Sequence, residues 1–245
     1  MRTTNPTLNA TTFSVPRTFG DTMTLNGTIL KTVILLLCAV ATASITWNAF
    51  TESHDVGQAG GLMMIGALGG FLLALVTAFK KNWAMVTAPV YALLEGLFLG
   101  GASALFEMRF PGIAMQAVAL TFGTAFCMLM AYRSGLLRAT RRFTIGVVAA
   151  TGGIALFYIL TMLLGLFHVS VPILYSNSPL GIAISVAITA VAALNLILDF
   201  AMIEQGVAQG APRYMEWYGA FALMVTLVWL YVEILRLLSK VRSRR

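Results

Sequence analysis

The sequence predicts an all-α integral membrane protein, a bundle of seven transmembrane helices. Of its 245 residues 59% are hydrophobic and only 10% are charged, whereas a soluble domain carries about 25% charged residues because its surface faces water. The apolar residues fall into seven stretches, each near the roughly 20 residues that cross a hydrocarbon core. Lys and Arg gather at the ends of those stretches, which is the pattern of membrane topology. That scatter argues against a nucleic-acid partner despite a formal net charge of +7. Seven crossings use roughly 140 positions, so no separate soluble domain fits.

Residues 1–27 form a polar segment rich in Thr and Asn. It lacks the basic-then-apolar order of a signal peptide and reads as a tail. The transmembrane domain is expected over 28–239, with a basic tail at 240–245. The first span runs from about Lys31 to Phe50 and meets a polar loop with Glu52, His54 and Asp55. The second, Gly60 to Phe79, stops at Lys80 and Lys81. The third, Met85 to Leu105, contains Pro89 and has Glu95 near its middle. The fourth, Gly112 to Tyr132, ends in the basic stretch Arg133 to Arg142, and the fifth covers Thr144 to Phe167. A loop with Pro172, Asn177 and Pro179 leads to the sixth, Leu180 to Phe200. The linker Ala201 to Arg213 mixes polar and apolar residues and holds Glu204, and Tyr214 to Leu238 is the last apolar segment. No repeat of solenoid length interrupts this order.

Positive charge is retained on the cytoplasmic side. With the N-terminus inside, that side holds Arg2, Arg17, Lys31, Lys80, Lys81, Arg133, Arg138, Arg141, Arg142 and Arg213, ten in all, against six opposite: Arg109, Arg236, Lys240, Arg242, Arg244 and Arg245. The internal loops agree with this orientation. The C-terminal tail opposes it, because seven crossings export its five basic residues, so the side of the tail stays open between seven full crossings and a last apolar segment that re-enters and leaves the tail cytoplasmic.

Close-spaced small residues, Gly57 with Gly61, Gly66 with Gly70 and Gly96 with Gly100, let helix backbones approach in a bilayer. They read as bundle packing, with a flexible gate as the alternative. Cys38 and Cys127 lie in apolar stretches without ligand spacing and read as packing residues, with no disulfide between them. His54 and His168 stand alone, so no zinc site is expected. HExxH, GxSxG, P-loop and dinucleotide fingerprints are absent. An aspartyl protease within the membrane needs two intramembrane aspartates, and Asp199 is the only one. The chain therefore reads as a non-enzyme without a cofactor.

Acids inside apolar runs are the informative residues, because an ionised side chain at bilayer depth costs at least a few kcal/mol. Glu95, Asp199 and Glu233 must each be protonated, paired or wetted. Glu233 has Arg236 three residues on, along one helical face, so a local ion pair competes with a functional role.

Beyond these readings, Met1 to Pro6, Thr22 to Thr32, Leu94-Glu-Gly-Leu97 and the stretch from Asn195 to Arg236 resemble the bacterial Bax inhibitor-1 family, most specifically through Ile203-Glu-Gln-Gly206 and Tyr214-Met-Glu-Trp217. The resemblance implies a seven-helix fold with the last helix central, and a pH-sensitive calcium leak in the bacterial cytoplasmic membrane. It also implies an acid on helix six and one on helix seven that share a proton and hold a gate closed, which carry over to Asp199 and Glu233. Relatives that place an acid and an arginine on helix two are not matched here, where only Lys80 and Lys81 lie nearby. Depth opposes a direct pair. If the chain turns near Gly210 to Pro212, straight antiparallel helices leave Asp199 and Glu233 mismatched by roughly 13 Å, and Glu95 or Glu216 becomes an alternative partner for Asp199.

The leading expectation is a passive cation leak, with calcium as the permeant ion because hard divalent ions prefer carboxylate oxygens. Asp199 and Glu233 form its sensor, Glu95, Glu204 and Glu216 are pathway candidates, and Arg236, Lys80 and Lys81 are counter-ions. Two other classes compete. One is a proton-coupled transporter of a small solute, the other a membrane-embedded modulator of a membrane protease or stress response.

Overall fold

A segment in hydrocarbon has no water to satisfy its backbone N–H and C=O groups, so each apolar stretch must bond within itself and form a helix. The computed structural model describes residues 22–51, 56–167 and 176–244. Among them, seven helices are long and apolar enough to cross a membrane, and the chain is a multi-pass membrane protein. The helices are α1 (Leu25–Thr51), α2 (Val56–Phe79), α3 (Ala84–Arg109), α4 (Ile113–Arg133), α5 (Arg141–Leu166), α6 (Pro179–Ala208) and α7 (Met215–Arg242), with a short 3-10 turn at Lys81–Trp83 before α3. Arg2, Arg17, Glu52, His54, Asp55, His168, Pro172 and Arg245 lie outside the described residues.

Two boundaries differ from the hydropathy reading for a physical reason. Helix α1 begins at Leu25, within the segment read as a polar tail, and α6 continues past Phe200 to Ala208, through the linker read as mixed. In both places polar residues sit on a helix whose other face is buried: Thr28 and Thr32 on α1, Met202 and Ile203 on α6. Windowed hydropathy averages over both faces and misses this. Lys240 to Arg242 likewise belong to α7 rather than to a separate tail. Local signals fix several starts. Thr140 caps α5 by accepting from the Phe143 N–H at 3.3 Å, Ser178 caps α6 by accepting from Gly181 N–H at 3.1 Å, and Glu107 reaches across to the Ala114 N–H of α4 at 3.0 Å.

The chain divides into two compact units, 1–114 with 201–225, and 115–200 with 226–245. In the first, α3 packs on both α1 and α2. A side chain at Gly96 or Gly100 would collide with the Ala39 or Ala43 carbonyl oxygen of α1, and one at Gly66 with the Leu94 carbonyl of α3, so these glycines are there for backbone approach. Gly61 has open space around it and does not serve this purpose. At one end of this unit, the Met23 N–H donates to the Ala211 carbonyl at 2.7 Å and Thr22 bridges to Pro212, tying the start of α1 to the α6–α7 turn. Gly210, at φ 65°, supplies the left-handed residue that turn needs.

In the second unit, Asn195 on α6 donates to the Thr151 hydroxyl on α5 at 2.8 Å, and the Tyr132 ring of α4 lies 5.9 Å from Phe200 of α6. Cys127 on α4 is exposed, which corrects its reading as a packing residue. Its surroundings are apolar helix surface suited to lipid. Cys38 on α1 is half-buried.

Candidate functional site

Helix α7 carries Thr226, Glu233 and Lys240 seven residues apart. Seven residues is nearly two turns of about 3.6 residues each, so the three polar side chains share one face. That face meets α6 in an antiparallel register. Thr226 hydrogen-bonds Asp199 and Lys240 donates to the Ser185 hydroxyl at 2.7 Å. Both facing pairs have residue numbers that add to 425, so the register is constant along the second unit. The result is a polar seam with three stations spaced by about 10 Å, since seven residues rise about 1.5 Å each.

The first station is Asp199 with Thr226. The second oxygen of Asp199, Oδ2, is buried without a hydrogen-bond partner. A buried carboxyl oxygen left without a donor costs free energy in either protonation state and is a place where a proton or cation can be accepted.

At the second station Glu233 is almost fully buried, and its surroundings satisfy it. Tyr158 of α5 donates its hydroxyl to Oε1 at 2.7 Å. Arg236 reaches both oxygens, at 3.1 and 3.2 Å, and also donates to the Tyr158 hydroxyl at 2.6 Å. Its guanidinium lies 5.4 Å from the Tyr158 ring centre, where the ring face attracts a cation. The third station is Lys240, buried, with its ammonium on the Gly181 carbonyl at 3.1 Å and the Ser185 hydroxyl.

The two acids expected to share a proton are therefore held by different partners. Register explains it: the α6 residue facing Thr226 is Asp199, and Glu233 lies two turns further along, level with Ala192. Of the counter-ions read from sequence, Arg236 does pair with Glu233. Lys81 instead sits over the Tyr218 ring at 5.6 Å, and Lys80 is exposed.

The other acids sit in the first unit. Glu216, in the first turn of α7, is buried and accepts from the Thr24 N–H and hydroxyl, each at 2.8 Å, and from the Lys31 ammonium. Gly27 makes room, because a side chain there would strike the Glu216 carboxyl. Lys31 also lies 5.5 Å from the Trp217 ring centre. This arrangement is a closed clamp between α1 and α7, which does not suit a pathway acid. Glu95 on α3 points its Oε2 at Gly70 of α2, one turn from buried Tyr91, whose ring meets Phe221 edge-on at 5.0 Å. Glu204 is exposed near the end of α6. No group of three His, Cys, Asp or Glu that could hold a metal ion occurs among the described residues.

Sequence reasoning missed Thr24, Lys31, Tyr158, Ser185, Thr226 and Lys240 as site residues. The seven-residue spacing on α7 was a usable signal for Thr226 and Lys240. Tyr158 gave none, since a tyrosine in an apolar run looks like filler. Two of the five basic residues near the C-terminus are spent inside the second unit, Arg236 on Glu233 and Lys240 on α6, and Arg242 donates to Gln116 at 2.8 Å.

Residues 5–243 match the sequence model of the family described as Bax inhibitor 1 like. No curated protein and no solved structure matches the chain.

Proposed function

This chain belongs to the Bax inhibitor 1 like family, and from that premise we propose that it is a passive, pH-sensitive cation leak of the bacterial cytoplasmic membrane, with calcium as the favoured ion. It performs no catalysis and needs no cofactor. The observation that carries the reading is the Asp199 carboxyl, whose Oδ2 is buried without a hydrogen-bond partner. A proton on that carboxyl lets it remain in apolar surroundings. As pH rises and the proton leaves, the anion calls for a cation or water in its place. Glu233 differs, because Arg236 and Tyr158 already compensate it. It is the structural station of the seam, and Asp199 is the sensor.

Calcium-dye-loaded liposomes holding the purified protein test this. Flux without added substrate, rising from acidic to alkaline pH, is the expected result. A requirement for a co-transported solute would overturn it in favour of a transporter. Absence of flux at every pH would overturn it in favour of a modulator of another membrane protein.

A further inference from the structure

Lysine is among the residues least often buried, yet Lys240 is only 4% exposed. It lies in the last turns of α7, where a long side chain can ordinarily carry its charge out to the interface. Instead the ammonium turns inward to two neutral oxygens of α6, the Gly181 carbonyl at 3.1 Å and the Ser185 hydroxyl at 2.7 Å. Glu233, two turns back on the same face, is already engaged by Arg236. Gly181 and Ser185 belong to the first turns of α6, the end of a helix that disfavours positive charge. A mere link between α6 and α7 would be better served by a neutral donor. What the site does resemble chemically is an ion site. Carbonyl and hydroxyl oxygens at this range take the place of part of the hydration shell of a monovalent cation, and an ammonium group has the charge and donors to stand in for one.

We propose that the Lys240 ammonium is a tethered cation, occupying a monovalent-cation site built from the Gly181 carbonyl and the Ser185 hydroxyl and keeping mobile ions out of it. The site is the third station of the polar seam, so its role in flux rests on the leak reading, whereas its ability to bind a cation does not. Removing the ammonium while keeping the apolar stem opens the site to potassium.

Two measurements separate the site from the leak. In the first, purified Lys240→Met protein is melted in potassium chloride and in N-methylglucamine chloride at equal ionic strength. Potassium should raise its melting temperature by about 3 °C, as expected for a ligand bound only by the folded state. The unsubstituted protein should show no such difference, and adding Ser185→Ala should abolish it. Lys240→Ala provides a second variant, with n-propylammonium restoring the missing atoms and giving the same stabilisation. No potassium-specific shift in folded Lys240→Met and no propylammonium effect on Lys240→Ala would overturn the site, as would a shift that survives Ser185→Ala. In the second, the variants are reconstituted in liposomes. Lys240→Met should leak potassium several-fold faster than the parent, and propylammonium should suppress the leak of Lys240→Ala. A potassium shift without flux in any variant leaves the site standing and removes the leak. Flux without a potassium shift does the reverse.

Discussion

Glu216 on α7 and Asp199 on α6 are both carboxyls on helices read as spanning the membrane, and they are treated in opposite ways. Glu216 in the first unit accepts from the Thr24 backbone, the Thr24 hydroxyl and the Lys31 ammonium. Asp199 in the second has Thr226 on one side, while its Oδ2 is buried without a partner. A carboxylate whose two oxygens are both engaged, here by a cation, a hydroxyl and a backbone N–H, is locked, because each alternative arrangement gives up a charge-assisted bond. A carboxyl with an unused oxygen can change state without first breaking a network. On the proposed reading the first unit carries an anchor and the second a sensor, though both are acids in apolar helices.

The largest effect expected from this contrast is on the anchor. Lys31→Met leaves Glu216 buried without its cation, and breaking a buried pair from one side costs about 3–5 kcal/mol. Thermal melting of the purified protein should fall steeply, and Lys31→Met combined with Glu216→Gln should recover much of the loss because no uncompensated charge remains. A Lys31→Met protein that melts like the parent would remove the distinction between anchor and sensor.

Asp199→Asn should do the opposite, leaving melting within about 1 kcal/mol of the parent while flattening the dependence of flux on pH. The amide keeps the size and the Thr226 contact but cannot lose a proton. The sign follows from the proposed chemistry: flux in the parent should rise as the Asp199 proton leaves with increasing pH, and the variant should stay near the acidic, low-flux level throughout. A variant with a normal pH profile would move the sensor elsewhere.

Glu95→Gln belongs between these cases. Its carboxyl faces Gly70 across the α2–α3 contact, where an amide of the same shape fits. Insertion and folding should be unchanged, with flux altered by a factor of a few and its pH midpoint kept. Parental flux in a well-folded Glu95→Gln protein would make Glu95 a packing residue.

Hydropathy could place the seven spans because a bilayer imposes length and composition directly on each one. It could not place the clamp or the third station. Lys31 and Lys240 each look like topology charges at a span end, and the groups that bury them lie 185 and 55 residues away in sequence. Asp199, Glu233 and Glu95 were visible because an acid in an apolar run is conspicuous by itself. Their partners were not, because partnership depends on helix register, which the turn after α6 sets. The continuation of α6 to Ala208 was hidden by the polar face of its last turns.

The smallest expected effect is the most informative about the seam. If Asp199 and Glu233 shared a proton, they would titrate as one unit, and removing either would remove most of what the other contributes. The register places them two turns apart, roughly 10 Å along the helices, with Thr226 on one and Tyr158 and Arg236 on the other. Groups that far apart without shared partners add within about 0.3–0.5 kcal/mol. The pH midpoint and amplitude of calcium flux should therefore be measured for the parent, Asp199→Asn, Glu233→Gln and the double variant. Asp199→Asn should flatten the profile, and Glu233→Gln should lower stability by leaving Arg236 without its carboxylate. The double variant should show both changes at full size. A double variant no worse than either single one would mean that the two carboxyls meet in a state other than this one, and that helix α7 slides about two turns against α6 to bring them together.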